Sequence, residues 1–126
     1  MRKLMGIALL GAMAAYGGTA ATAQERVPLQ KSEFPAGHES HVMQVTIAPG
    51  GVVARHTHPG IEMGYVLEGE LTLTVDGKGD QVNKPGMSWS IPAAALHSAK
   101  NAGAVPTKIL VVYVVEKGKP LATPAP

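Results

Sequence analysis

The chain has 126 residues, enough for one domain, with 11 basic residues, 9 acidic residues and no cysteine. Two of the basic residues fall in a leader segment, so the remainder is formally neutral and its charge indicates no nucleic-acid or membrane partner. The absence of cysteine excludes disulfide bonds and a cysteine-linked lipid anchor.

Residues 1–23 have the pattern of a secretory signal peptide. A positive start at Arg2-Lys3 is followed by an apolar run, Leu4–Ala15, and by a small-x-small cleavage site that ends at Ala23. A membrane-spanning helix needs about 20 apolar residues, and this run is shorter. The sequence therefore predicts cleavage after Ala23 and a periplasmic or secreted protein.

Residues 24–41 are polar and interrupted by prolines, and we expect an N-terminal arm with one short strand. From Val42 onward, apolar residues alternate with polar ones, which is typical of strands with one buried face. The segment Asp76-Gly77-Lys78-Gly79 is a strong hairpin signal. The first predicted strand after the arm starts at Val42, and the later ones span residues 52–58, 63–67, 71–75, 81–83, 87–91 and 108–115.

No stretch after the leader shows the sustained 3.6-residue periodicity of an amphipathic helix. Short strands separated by Gly and Pro turns indicate an all-β sandwich or barrel, here over residues 42–116. Residues 117–126 contain three prolines and are predicted to form a flexible tail.

Three residues in the middle of the chain have the chemistry of metal ligands. His56 and His58 are two apart, which places them on one face of a strand. The turn signal Pro59-Gly60 follows, and Glu62 opens the next apolar run. Two imidazoles and a carboxylate suit a divalent transition metal, and a third imidazole is available at His97.

These residues fall into two motifs with defined spacing. The first contains Gly50, His56, His58, Glu62 and Gly69, and the second contains Gly86, Pro92, Ala94, His97 and Asn101. Both motifs, in this order, resemble those of the cupin superfamily, and the chain is most similar to small single-domain, quercetinase-like cupins. Ala94 stands where the family motif has glycine. If that glycine adopts a positive φ, alanine is strained there or the turn differs.

The resemblance implies a jelly-roll β-barrel (the cupin-like double-stranded β-helix) with its site inside the mouth. It implies one divalent ion (Fe, Mn, Ni, Cu, Co or Zn) held by His56, His58, Glu62 and His97. It also implies dioxygenase-like chemistry on a small oxygen-bearing molecule, with Glu62 available as a base, and a homodimer. Two alternatives remain open: a non-catalytic module that binds a small ligand or senses metal, and a non-redox isomerase or lyase with the same ligands.

Several other side chains are candidates for the surroundings of the site. Tyr65 and Tyr113 are candidate pocket residues because a buried hydroxyl needs a partner, and Gln44 is a third candidate. His38 and His41 lie in a polar segment and are predicted to be solvated loop residues rather than a second metal site.

Overall fold

Ten β-strands and no helix make up the part of the chain that this computed structural model describes, residues 24–126. The predicted signal peptide, residues 1–23, lies outside the described residues. Within residues 24–126 there is accordingly no helix long and apolar enough to cross a membrane. The strands are β1 (Gln24–Ser32), β2 (His38–Ile47), β3 (Val52–Thr57), β4 (Gly60–Glu68), β5 (Leu71–Val75), β6 (Gly79–Asn83), β7 (Ser88–Ile91), β8 (His97–Lys100), β9 (Thr107–Glu116) and β10 (Thr123–Pro124).

The strands form two five-stranded sheets. The strand order is β1-β2-β9-β4-β7 in the first sheet and β10-β3-β8-β5-β6 in the second. Every pairing is antiparallel, and consecutive strands lie in different sheets except for β1-β2 and β5-β6. Two packed antiparallel sheets connected in this way are a jelly-roll barrel, so the predicted fold class is confirmed.

The core lies between the inner faces of the two sheets. Val45 of β2 is paired with Ile109 of β9, and both are buried. Leu71 and Leu73 of β5 contribute from the second sheet. Burial of an aliphatic side chain of this size stabilises the fold by about 1.5–3 kcal/mol, so these buried residues hold the two sheets together.

Gly69 makes the turn that carries the chain from β4 in the first sheet to β5 in the second. Its φ is +75°, and a Cβ atom there would lie 2.6 Å from the carbonyl oxygen of Pro106. Both observations require glycine, because other residues are strained at this φ and a methyl group would not fit. The turn expected between the predicted strands 63–67 and 71–75 is confirmed, and so is the hairpin between β5 and β6, where the Lys78 N–H donates to the Val75 carbonyl at 2.9 Å.

Two strands differ from the sequence prediction. β1 has nine residues and pairs with β2 over nearly its whole length, whereas one short strand was expected. Nearly all its residues are exposed, so it is held by pairing rather than by burial and shows no apolar alternation. β8 was not predicted, because four residues are too few to show a period.

The C-terminal segment also differs, since it was expected to be a loose tail. Leu121 is partly buried against the core, and Thr123 pairs with Thr57 of β3. The Ala125 N–H donates to the Arg55 carbonyl at 3.0 Å. The three prolines suggested disorder, but proline is tolerated in a short strand at the edge of a sheet.

Candidate metal centre

Four side chains converge at one end of the barrel interior. His56 lies near the end of β3 and pairs with His97 at the start of β8, His58 follows β3, and Glu62 lies in β4. One potential ligand atom from each lies within 4.8 Å of all the others. The Glu62 Oε2 atom is 2.9 Å from His58 Nε2 and 3.4 Å from His97 Nε2. The four candidate ligands named from the sequence are therefore brought together.

Each imidazole is oriented by a backbone carbonyl. The Nδ1 atoms lie 2.7 Å from the Ala54 oxygen for His56, 2.6 Å from the Leu121 oxygen for His58 and 2.9 Å from the Ala95 oxygen for His97. A carbonyl can only accept, so Nδ1 carries the proton in all three rings. The Nε2 atoms then present lone pairs, which is the state in which imidazole binds a metal.

The geometry of these lone pairs fits a cation. His56 Nε2 and His58 Nε2 are 3.1 Å apart, although neither has a proton to share in this tautomer. His97 Nε2 is buried and has no hydrogen-bond partner. Buried polar atoms are normally satisfied, and a cation between these nitrogens and the carboxylate would satisfy all of them at once. Three nitrogens and one oxygen form a borderline donor set that is suited to first-row divalent metals rather than to calcium or magnesium.

Trp89 holds the fourth ligand, Glu62, a role that was not predicted from the sequence. Its indole Nε1–H donates to Glu62 Oε1 at 3.0 Å, which leaves Oε2 facing the histidines. The ring lies over Gly64, where a Cβ atom would approach it to 2.0 Å. The available signal was that this is the single tryptophan of the chain, and that a buried indole N–H needs an acceptor.

The electrostatics keep Glu62 ionised. Burial alone would raise the pKa of its carboxyl, but the close contacts with His58 and His97 and the hydrogen bond from Trp89 outweigh burial and hold the pKa well below its usual range. Burial acts to lower the pKa of His97, yet its contact with Glu62 raises that pKa on balance. Burial lowers the pKa of His56. The metal-free centre therefore carries one firm negative charge, on Glu62.

A small cavity adjoins the centre. Its volume is about 30 Å³, and besides apolar core residues it is lined by Arg26, His56, Glu62, Trp89, His97 and Tyr113. That volume holds about two water molecules, so only the reacting end of a ligand fits inside. The Tyr113 ring packs on His58 with centroids 4.8 Å apart. Burial raises the pKa of Tyr113 to about 12, so its hydroxyl stays protonated.

The other candidate residues lie elsewhere. Of the three pocket candidates only Tyr113 lines the cavity; Tyr65 is 44% exposed, and Gln44 pairs with Leu110, a register position on the outer face of the sheet. The predictions that Tyr65 and Gln44 line the pocket were therefore wrong. In β2 it is Val45, not Gln44, that lies on the inner face of the sheet. His41 contacts Glu39 rather than the centre, and His38 Nδ1 contacts a backbone carbonyl. Both histidines lie in β2 and are partly buried, so the expectation of solvated loop residues was wrong.

Ala94 has a φ of 61°, which is the positive value anticipated for its position in the second motif. Its N–H donates to the His58 carbonyl at 3.0 Å. The loop that leads to His97 is thereby fixed against the other half of the centre, and alanine leaves the four-residue cluster intact.

Known proteins resemble this chain to different extents. A family model described as Cupin domain matches residues 43–113, more than half of the chain. Germin-like protein 1 of Brassica napus is 35% identical over 89 residues, which is 65% of this chain and 43% of that protein. The chain thus spans less than half the length of the curated relatives it matches.

Two solved structures show the same fold. A recombinant oxalate oxidase in complex with glycolate has a TM-score of 0.67 and 24% identity, covering 84% of this chain and 57% of its own. A protein from Thermus thermophilus has a TM-score of 0.60 and 29% identity, covering 74% of this chain and 83% of its own.

Proposed function

The chain belongs to the cupin family, and we propose that its four-residue centre binds one divalent transition metal ion for oxidase- or dioxygenase-type chemistry on a small oxygen-bearing molecule. The observation that carries the proposal is the convergence of three Nε2 lone pairs and one carboxylate oxygen, each ring being fixed by a carbonyl on its far side. Ligands held this way lose little freedom on binding a metal.

A bound ion would supply Lewis-acid or redox chemistry at this centre. The residues of the chain supply the surroundings. Trp89 fixes one oxygen of Glu62, so the carboxylate serves as a base only through its other oxygen, which faces His58 and His97. Apolar side chains line the remainder of the cavity and limit the access of water.

The substrate class rests on the relatives. One is a germin-like protein, and the solved structure with the higher TM-score is an oxalate oxidase with glycolate bound. At 24% identity the second likeness is one of fold, so it supports a small oxygen-bearing substrate without selecting one. The small cavity is consistent with such a ligand.

Two further features are proposed from the sequence. The signal-peptide pattern of residues 1–23 supports export to the periplasm or medium, which N-terminal sequencing of exported protein would test. A homodimer is proposed from the family resemblance, and light scattering on the mature chain would test it.

The central experiment measures metal content and then dioxygen uptake. The chain, purified from its native compartment, is expected to carry one ion, and His58→Ala and His97→Ala should remove it, whereas His38→Ala should not. Samples reconstituted with Mn, Fe or Cu are then mixed with small hydroxy- and oxo-acids at an oxygen electrode, with the zinc form as control.

Dioxygen uptake with a redox-active metal and none with zinc supports the proposal. Substrate turnover without dioxygen would instead show an isomerase or lyase. Ligand binding without turnover in any metal form would show a binding module. Equal metal content in wild type and a His56→Ala/His58→Ala double variant would place the ion elsewhere.

A further inference from the structure

Two arginines border the same surface groove but differ in their partners. The groove has a volume of about 220 Å³, and both Arg26 and Arg55 line it. Arg55 is neutralised by Asp76, with Nη2 and Oδ2 2.6 Å apart. Arg26 instead donates to two neutral atoms, Gln24 Oε1 at 2.9 Å and the Tyr113 hydroxyl oxygen at 3.4 Å. Among residues 24–126 no carboxylate forms an ion pair with Arg26.

The register of β1 directs Arg26 toward the metal centre. Arg26 pairs with Val45, and directly paired residues of antiparallel strands lie on the same face. Val45 is in the buried core, so this is the inner face. Arg26 lines both the outer groove and the inner cavity, as do His56 and Val53. It therefore stands where the groove and the cavity meet.

Tyr113 adds a second donor at the same place. Its oxygen accepts the hydrogen bond from Arg26, so its own proton is available to another acceptor. Within the described part of the chain no residue accepts that proton. A guanidinium and a hydroxyl, neighbours at the mouth of a mostly apolar cavity, make a site for an oxygen anion.

The charge balance favours an anionic ligand. Glu62 is the single acidic residue among those that line the cavity in residues 24–126. With neutral imidazoles, a divalent ion would leave the centre with one positive charge, and Arg26 adds another. In a cavity with apolar walls such charge is costly unless an anion accompanies it.

We propose that Arg26 and Tyr113 form an anion subsite that binds the carboxylate of a small carboxylate ligand at the mouth of the metal cavity. The proposal deepens the proposed function by naming a substrate class, and its charge argument rests on that function. Arg26 is a specificity-determining residue in this assignment, while the centre itself needs neither Arg26 nor Tyr113 to hold metal.

A purely structural role is the competing explanation. β1 is an edge strand, and inward-pointing charges on edge strands prevent pairing with other chains. In that role Arg26 would affect self-association and have no effect on ligand affinity.

The test is calorimetric binding to the zinc-loaded chain, which avoids turnover. The probes are glycolate and glycolamide, which have nearly the same shape but differ in charge. The variants are Arg26→Gln, Arg26→Lys and Tyr113→Phe, with Arg55→Gln as the matched control because it removes the same charge from the same groove. Zinc content and oligomeric state are measured for each.

We expect wild type to bind glycolate at least about tenfold more tightly than glycolamide, and Arg26→Gln to remove that preference. Arg26→Lys should retain part of it, Tyr113→Phe should weaken glycolate binding by a smaller factor, and Arg55→Gln should change affinity less than twofold. Zinc content should be unchanged throughout.

The subsite would be overturned if the Arg26→Gln variant still bound glycolate more tightly than glycolamide. It would also be overturned if the affinities for both probes fell by the same factor. Self-association of that variant with unchanged glycolate affinity would support the edge-strand role instead. If the wild-type chain fails to bind zinc, the proposed function is refuted separately. Glycolate and glycolamide binding to the metal-free wild type and Arg26→Gln variant would then decide whether the subsite exists.

Discussion

The two ends of the barrel interior are built by different kinds of interaction. Along β4, Glu62 and Val66 face inward four residues apart, beside Tyr113 and Ile109 of β9 respectively. At the Val66 end, aliphatic side chains pack without directional contacts. At the Glu62 end, each ligand depends on one particular partner atom. Two of these partners are distant in sequence, Leu121 for His58 and Trp89 for Glu62, and the other two are carbonyls two residues before the histidine they orient. Substitutions at the Val66 end should therefore change mainly the free energy of unfolding, and substitutions at the Glu62 end should change mainly the metal affinity.

A change of pH should give the largest difference between the two ends, since Glu62 and His97, whose pKa values are shifted, both lie at the Glu62 end. In the metal-free protein the lowered pKa of Glu62 stabilises the fold above its unfolded value of 4.5. The raised pKa of His97 stabilises the fold below its unfolded value of 6.5, and that contribution is lost as pH rises through the folded value. Below the folded pKa of His97, a metal must therefore displace a proton.

Zinc affinity is accordingly expected to fall by about 10³-fold or more from pH 7.5 to pH 5, because a histidine ligand must be neutral to bind the ion and free imidazole takes up a proton below about pH 6.5. Competition titrations with a chromogenic chelator would measure this. The thermal stabilisation by zinc should shrink over the same range. Affinity that stays constant across it would show that the histidines are not the ligands.

Ile47→Ala tests the apolar end. Ile47 is completely buried, and truncation should lower the free energy of unfolding by about 2–5 kcal/mol. Denaturant unfolding of the metal-free protein would measure it, with Val52→Ala, at a position 57% exposed, as a control expected to cost far less. Metal content of the folded variant should be unchanged. Loss of metal from folded Ile47→Ala would show that the two ends are coupled.

Trp89→Phe tests the directional contact to Glu62. Phenylalanine retains most of the packing over Gly64 but removes the indole N–H that donates to the carboxylate. Metal affinity should fall about 10–100-fold, as for other residues that orient a ligand. Tyr113→Phe removes a hydroxyl that does not contact Glu62 and should alter metal affinity much less. Equal effects of the two variants would contradict an orienting role for Trp89.

The smallest expected effect is that of Ala94→Gly. The φ of 61° is costly for alanine, and glycine removes that strain while adding freedom to the unfolded chain. The net gain in unfolding free energy should be about 0.5–1 kcal/mol. Ala93→Gly, whose φ is not positive, should give no gain. A destabilised Ala94→Gly would mean that the loop is held in place by contacts of the methyl group.

The apolar end was predictable from sequence because its signal is periodic. Alternation in β2 places Val45 and Ile47 on one face, and the gap between the predicted strands 63–67 and 71–75 marks the turn at Gly69. Alternation shows which residues share a face but not which face is inside, so Gln44 of β2 was a pocket candidate. Tyr65 was a candidate because a buried hydroxyl needs a partner. Their exposure follows from register, which depends on the whole sheet.

The ligands were predictable for another reason, namely the spacing within the two motifs. The atoms that orient them were not. Three of the partners are backbone carbonyls, which every residue has, so no residue type marks them. Trp89 was visible as a residue but not as a partner, and Arg26 lay in a segment that was read as a polar arm.

The carbonyl of Leu121 gives the end of the chain an unexpected place in the centre. The Leu121 carbonyl accepts the hydrogen bond from His58 Nδ1. Metal binding at the centre is therefore coupled energetically to the docking of residues 121–125. Linkage is reciprocal, so an ion that fixes the ring also holds the segment down, and whatever pulls the segment away loosens the ion by the same factor. A fusion partner or a protease that displaces residues 121–125 would in this way weaken metal binding without contacting the histidines.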